Sequence, residues 1–213
     1  MMFLRLRERG GGRRIAVVDA YQFPSSVRQR FAFEHEGLTP EDTRKVEDAT
    51  RQWFRLAARH PKAKLSMPSV AVDAMWHEMV LHTREYQEFC DQAIGHFLHH
   101  QPESAMSAQA AAANRAKNLQ ATFRLAQEDE RCGPLVLPLL FRVDRETGVR
   151  GGRRYLADCG GRGQCFDAAD ALCLTHLTGL GKPPRGTWKG RSGPLPESSG
   201  GSGPVCGGCG GGS

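Results

Sequence analysis

No stretch of this chain approaches the roughly 18 to 20 consecutive apolar residues that crossing a bilayer requires. Aromatic residues make up 8% and apolar residues 39% of the 213 positions, so the material for a core is modest. The N-terminal run MMFLRLRERGGGRR has arginines but no apolar h-region, which argues against a secretory leader. The expectation is a cytoplasmic protein with no membrane partner. A glycine-rich phosphate loop with its lysine is missing, and so is the Gly-x-Ser-x-Gly elbow of hydrolases. Aromatics are almost absent from the basic segments, which leaves no stacking platform for single-stranded nucleic acid.

The seven cysteines are an odd number. Without export they are expected as reduced thiols, metal ligands or buried apolar groups rather than disulfides. The net charge of +6 gathers at the ends and in one late loop, not on the best-patterned segment. A helical core that grips nucleic acid would want a basic face. Weak, sequence-independent contact with phosphate through the basic termini is the nucleic-acid reading that remains.

The apolar pattern divides the chain into four parts. Residues 1–20 read as a basic N-terminal arm, and 21–131 as a helical domain. Residues 132–177 read as a cysteine-containing hairpin and short helix packed on that domain. Residues 178–213 read as a Gly/Pro/Ser/Cys tail with too little apolar content to order itself.

Within the helical domain, Phe23 to Phe33 suggests a short helix after a Ser25-Ser26 cap. Thr39-Pro40-Glu41-Asp42 is a strong start signal: an N-cap, a proline at the first helical position, and acids at the positive end of the dipole. Val46, Ala49, Trp53, Leu56 and Ala57 then recur at three and four until Pro61 ends the helix. A second long helix is expected from Pro68-Ser69 to about His99, with Val72, Trp76, Met79, Tyr86, Cys90, Ala93, Ile94 and Phe97 on one broad stripe. A third spans Ser104 to Glu130, helical by alanine propensity in its first half and packed through Leu119, Phe123 and Leu125 in its second. Leu135 to Val143 follows Pro134, holds Pro138 and reads as an edge strand at best. Gly148 to Gly152 reads as a turn, Arg153 to Ala157 as a return strand, and 166–177 as one more short helix.

The stretch WHEMVLH, from Trp76 to His82, resembles a zinc-protease helix displaced by one residue. In His-Glu-x-x-His the two histidines are four apart on one face, with the glutamate as general base. Here His77 and His82 are five apart, roughly 140° around a straight helix, and cannot easily reach one ion. Pairs four apart are better placed. Asp73 can orient His77, and His82 precedes Tyr86 as Tyr86 precedes Cys90. A metal site using His77 or His82 would need ligands from elsewhere in the fold. A second candidate for zinc is the set Cys159, Cys165, Cys173 and His176, four potential tetrahedral ligands whose spacing lacks the Cys-x2-Cys of a zinc ribbon. Cys206 and Cys209 in the tail have that gap but no surrounding structure to shape a site.

Pro68, Val72, Asp73, Trp76, His77, Tyr86, Phe89 and Cys90 together resemble the signature of the glycine-rich domain protein-like family, known from plants and bacteria. The resemblance covers chiefly residues 40–100. Met79 stands where many relatives carry a second histidine. The family implies no established reaction; its plant members are linked to development and stress responses, some with nucleic-acid binding suggested. The combined expectation is a mainly α protein: a small helical bundle, a short irregular or hairpin segment and a Gly-rich tail. Its leading function is non-enzymatic, an interaction or regulatory role with a protein partner. Its signature cluster is Asp73, Trp76, His77, His82, Tyr86 and Cys90. The alternatives are a metal-binding protein or metal-dependent hydrolase, and a weak nucleic-acid binder.

Overall fold

A computed structural model describes the backbone of residues 2–100, 108–158 and 171–175, with side chains from Gly11 and, in the second span, from Asn114. All of these lie in the compact unit Met1–Leu180. The fold is mainly helical. Seven α-helices run in the order α1 Met2–Ala20, α2 Ser25–Glu34, α3 Pro40–Arg59, α4 Val70–Leu81, α5 Thr83–Phe89, α6 Ala108–Glu130 and α7 Leu139–Thr147. A π-helical turn, Cys90–Ile94, follows α5. Two short strands, β1 Tyr155–Leu156 and β2 Leu172–Cys173, pair in parallel. Among the described residues, no helix is long and apolar enough to cross a membrane.

The central element is α3. Its start is the expected capping box: the Asp42 N–H donates to Thr39 Oγ1 and the Thr39 N–H donates to Asp42 Oδ2, each at 3.1 Å. Such a cap satisfies two N–H groups that the first turn would otherwise leave without partners. The predicted face of Val46, Ala49, Trp53, Leu56 and Ala57 is buried, and Phe54, Gln52 and Glu47 are buried with it. Helix α3 is thus surrounded, meeting α1, α4, α6 and α7. Several of its buried polar groups are paired across elements. Gln52 accepts from the Leu140 N–H at 2.8 Å and donates to Glu130 at 3.2 Å. Glu47 takes Arg28 from α2. Arg55 and Arg59 both bind the buried carboxylate of Asp129 on α6.

The structure corrects several expectations. Residues 2–20 form a helix rather than an arm, and Val18 is fully buried. Ser25 and Ser26 do not cap α2, whose N-cap position is Pro24, and Phe33 is 80% exposed rather than packed. The single long helix expected from 68 to 99 is three pieces. It breaks at His82, which ends α4 and precedes α5, and then widens into the π turn.

The segment read as an edge strand, Leu135 to Val143, instead runs into α7. Pro138 sits in the N-cap position, where a missing N–H costs nothing because first-turn N–H groups have no helical partner. Leu140, Phe141 and Val143 are buried. The turn at 148–152 is present, with Gly148 and Gly151 at positive φ. The strand that follows it, β1, pairs in parallel with β2 and so makes no hairpin. Leu172 and Cys173, placed in a short helix by the sequence reading, are that second strand. The rest of 166–177, apart from 171–175, and the tail from 178 lie outside the described residues.

Helix α7 holds α4 in place through Asp144. Its buried carboxylate accepts from the Ser69 hydroxyl at 2.6 Å, from the backbone N–H groups of Val70 at 2.9 Å and Ala71 at 3.2 Å, and from the Arg153 N–H at 2.9 Å. A carboxylate at a helix N-terminus is favoured by the dipole as well as by these bonds. Ser69 completes the cap by accepting from the Val72 N–H at 3.0 Å.

Candidate functional site

Trp76, Tyr86 and Cys90 are buried in the core. The Trp76 indole N–H donates to the Tyr86 hydroxyl at 2.9 Å, and that hydroxyl donates in turn to the Leu98 carbonyl. Burial pushes the Tyr86 phenol far above its ordinary range. It pushes the Cys90 thiol up as well, which keeps it protonated and a poor nucleophile. The chain reverses after the π turn at Gly95, whose φ is +87°, a left-handed conformation suited to glycine. That reversal returns Leu98 to Tyr86 and His100 to α4.

Asp73 does not orient His77, as the four-residue spacing suggested. Its carboxylate accepts from His100 Nε2 at 3.1 Å. The His100 ring meets the Trp76 ring edge-on, with centroids 4.6 Å apart, and meets the His77 ring edge-on as well, at 5.3 Å. His77 itself is exposed. His82 turns the opposite way, to α2. Its Nδ1 donates to the Glu78 carbonyl at 3.0 Å, which leaves Nε2 to accept from the Ser26 hydroxyl at 3.0 Å. His77 and His82 therefore serve different neighbours, and Glu78, the would-be general base, is buried against Arg30.

Among the described residues no three His, Cys, Asp or Glu side chains are grouped to hold a metal ion. Of the cysteine set, Cys173 is a buried residue of β2; Cys159, Cys165 and His176 lie outside the described residues.

Two of the signature residues line a cleft of about 430 Å³. Trp53 and Ala57 of α3 and Asp73 and Trp76 of α4 form its inner side, and His60 stands at the end of α3. The loop from Pro61 to Met67 makes one wall, residues His96, Leu98 and His99 another, and Asn114, Arg115 and Asn118 of α6 a third. The loop is tethered rather than loose. The Ser66 N–H donates to Thr122 Oγ1 at 3.0 Å, Arg153 donates to the Met67 carbonyl at 2.7 Å, and the Tyr155 hydroxyl donates to the Pro68 carbonyl at 2.7 Å. The indole N–H of Trp53 is buried without an acceptor among the described residues.

The sequence reading missed His100, Lys64, Arg115 and Asp144. The first three carry no motif signal: the chain reversal brings in His100, the α3–α4 loop brings in Lys64, and α6 brings in Arg115. Asp144 had a readable signal: an acid closing an apolar run that also has helical spacing.

The described geometry supplies the Ser26–His82 hydroxyl–imidazole pair on the exposed α2–α4 seam and the Asp73–His100 pair at the cleft edge. No curated protein and no solved structure matches the chain. The expected membership of the glycine-rich domain protein-like family is overturned by the family comparison. The run from Pro68 to Cys90 encodes a local packing device, the Trp76–Tyr86 hydrogen bond over a buried thiol, and so short a run does not settle ancestry for the rest of the chain. A family model that matches residues 13–177, and so takes in α2 to α7 and both strands, shows that the chain belongs to the UCP032817-like family.

Proposed function

We propose that this is a non-enzymatic interaction protein that recognises its partner in the cleft between α3, α4 and α6. The carrying observation is how the signature is used. Asp73 and Trp76 face the cleft, while Tyr86 and Cys90 are buried behind it and Tyr86 holds the Leu98 wall. A motif spent on building one wall of a preformed cleft favours recognition over chemistry. Cys90 and Cys132 are unbridged, in keeping with work in the reducing cytoplasm.

The test is capture with the cleft open and filled. Untagged protein purified from a lysate is examined by native mass spectrometry beside Asn118→Trp, which places an indole in the cleft from the partly buried face of α6. The expected result is a bound species carried by the wild type and lost from the variant, with the thermal midpoint unchanged. An identical set of bound species on both chains overturns the reading.

A further inference from the structure

The cleft is graded from its inner side to its mouth. Trp53, Ala57 and Trp76 are buried, so the inner side is apolar and aromatic. Leu65, Met67, Leu98 and Asn118 are half-buried and line the middle. At the mouth Lys64, His96, His99 and Arg115 are exposed, where salt screens whatever charge they carry. The half-buried charged groups are already engaged: Asp73 accepts from His100 at 3.1 Å, and Arg153 donates to the Met67 carbonyl at 2.7 Å. Selection inside the cleft therefore falls to shape and hydrogen bonding.

One polar group on the inner side has no partner. Trp53 is 4% exposed, and its indole N–H meets no acceptor among the described residues. Buried donors left in this state are rare in folded proteins and cost stability. The neighbouring indole, Trp76, spends its N–H on Tyr86 at 2.9 Å. The two rings form one wall, with centroids 5.6 Å apart, and only one of their donors is used by the protein itself.

We infer that the ligand of this cleft is a small uncharged carbonyl compound, an amide or ketone on a compact apolar or aromatic body, whose oxygen accepts from the Trp53 N–H. This rests on the cleft being the recognition site.

Three features favour this class. An indole nitrogen only donates, so its complement is an acceptor, and a carbonyl oxygen supplies one without the desolvation cost of a charge. The N–H is covered from solvent, so an acceptor that reaches it displaces no hydrogen bond to water on the protein side. The half-buried Leu65, Met67 and Leu98 are the wall side chains with room to yield as it enters, and methionine adapts readily. The volume of about 430 Å³ falls in the range of pockets for small molecules, about 300–1,000 Å³.

The experiment uses three probes on the full chain: acetophenone, its alkene analogue α-methylstyrene, which lacks the oxygen, and benzoate, which carries a charge. Binding is followed by the indole N–H resonances of Trp53 and Trp76 in the 15N-labelled protein. Acetophenone should move both signals saturably, with the Trp53 proton going downfield as it becomes hydrogen-bonded. The alkene should move Trp76 without that downfield shift. Benzoate should bind about tenfold or more weaker than acetophenone. In Trp53→Phe, read through Trp76, acetophenone should lose about fivefold more affinity than the alkene does.

Equal losses for ketone and alkene in Trp53→Phe would overturn the carbonyl class and leave the cleft as a recognition site. So would a wild-type Trp53 proton that stays put with acetophenone while Trp76 shifts, a result that does not depend on the variant folding. Benzoate binding as tightly as acetophenone would overturn the uncharged class. Unmoved indole signals with every probe overturn both the class and the cleft.

Discussion

Trp76 and Tyr86 are joined across a break in the helix that carries them: the indole N–H of one donates to the hydroxyl of the other at 2.9 Å, with His82 and the α4–α5 junction between. The break gives the pair its geometry. On an unbroken helix, residues ten apart would lie about 15 Å apart along the axis, beyond the reach of any side-chain hydrogen bond. The bond therefore both requires the break and fixes its angle.

Tyr86→Phe keeps the ring and removes the oxygen. The Trp76 N–H and the Leu98 carbonyl would both lose their partner in the interior, which costs about 1–3 kcal/mol per buried group left unsatisfied. The urea midpoint should fall accordingly. Trp76→Phe made in the Tyr86→Phe background should cost less than in the wild type, and purely additive effects would argue against the bond.

Asp144→Ala removes the group that accepts from Ser69, Val70, Ala71 and Arg153. A lost cap costs about 0.5–2 kcal/mol, and this one serves four donors, so the upper end is expected. Ser69→Ala should cost less, about 1 kcal/mol. Faster amide exchange at Val70 and Ala71 in Asp144→Ala would tie the loss to the start of α4. Unchanged exchange there would count against it.

Alkaline solution should destabilise the fold by a specific route. Burial raises the phenols of Tyr86 and Tyr21, the latter to about 12, and the Cys90 thiol. Each folded group holds its proton more tightly than its unfolded counterpart, whose pKa is about 8.5 for Cys and about 10 for Tyr. Their stabilisation is whole below those values and is lost as pH climbs from them towards the raised folded values. Denaturation midpoints should hold from pH 7 to 8 and then decline, with a shallower decline in Tyr86→Phe. Cys90 should resist iodoacetamide at pH 8 until urea opens the core.

The Ser26–His82 pair has the contact that activates a serine, yet it stands on an exposed seam, with Ser26 open to solvent. A structural clip between α2 and α4 predicts that Ser26→Ala and His82→Ala each cost about 1 kcal/mol, and that a fluorophosphonate probe leaves Ser26 unlabelled. Stoichiometric labelling of Ser26 would replace the non-enzymatic reading with that of an acyl-transfer enzyme.

The sequence announced α3 clearly, because Thr39, Pro40 and Asp42 are start signals whose chemistry is local. The buried stripe of Trp76, Tyr86 and Cys90 was legible for a similar reason: spacing reports which face turns inward. Spacing could not report that the stripe crosses a break, since α4 and α5 together keep the apolar positions inward on both sides of His82. Helix α7 was hidden by Pro138, which breaks a strand but suits the position before a helix. The cleft was less legible still. Asp73 finds His100 at a separation of 27 residues, through a reversal that depends on Gly95, and no four-residue rule reaches that far.

The π turn makes chain length itself a determinant of the site. Its carbonyl at Cys90 is taken by the Gly95 N–H, five residues on, at 2.7 Å, so the turn accommodates one residue more than an α-helical turn would. One residue fewer between Cys90 and Ile94 would let the segment wind as an ordinary helix with Gly95 still closing on Cys90, because an α-turn closes four residues back where the π turn closes five back. One residue more would have no such outlet and would turn all that follows by about 100°. Leu98 would then swing away from Tyr86 and His100 from Asp73, so the segment tolerates a residue lost far better than a residue gained.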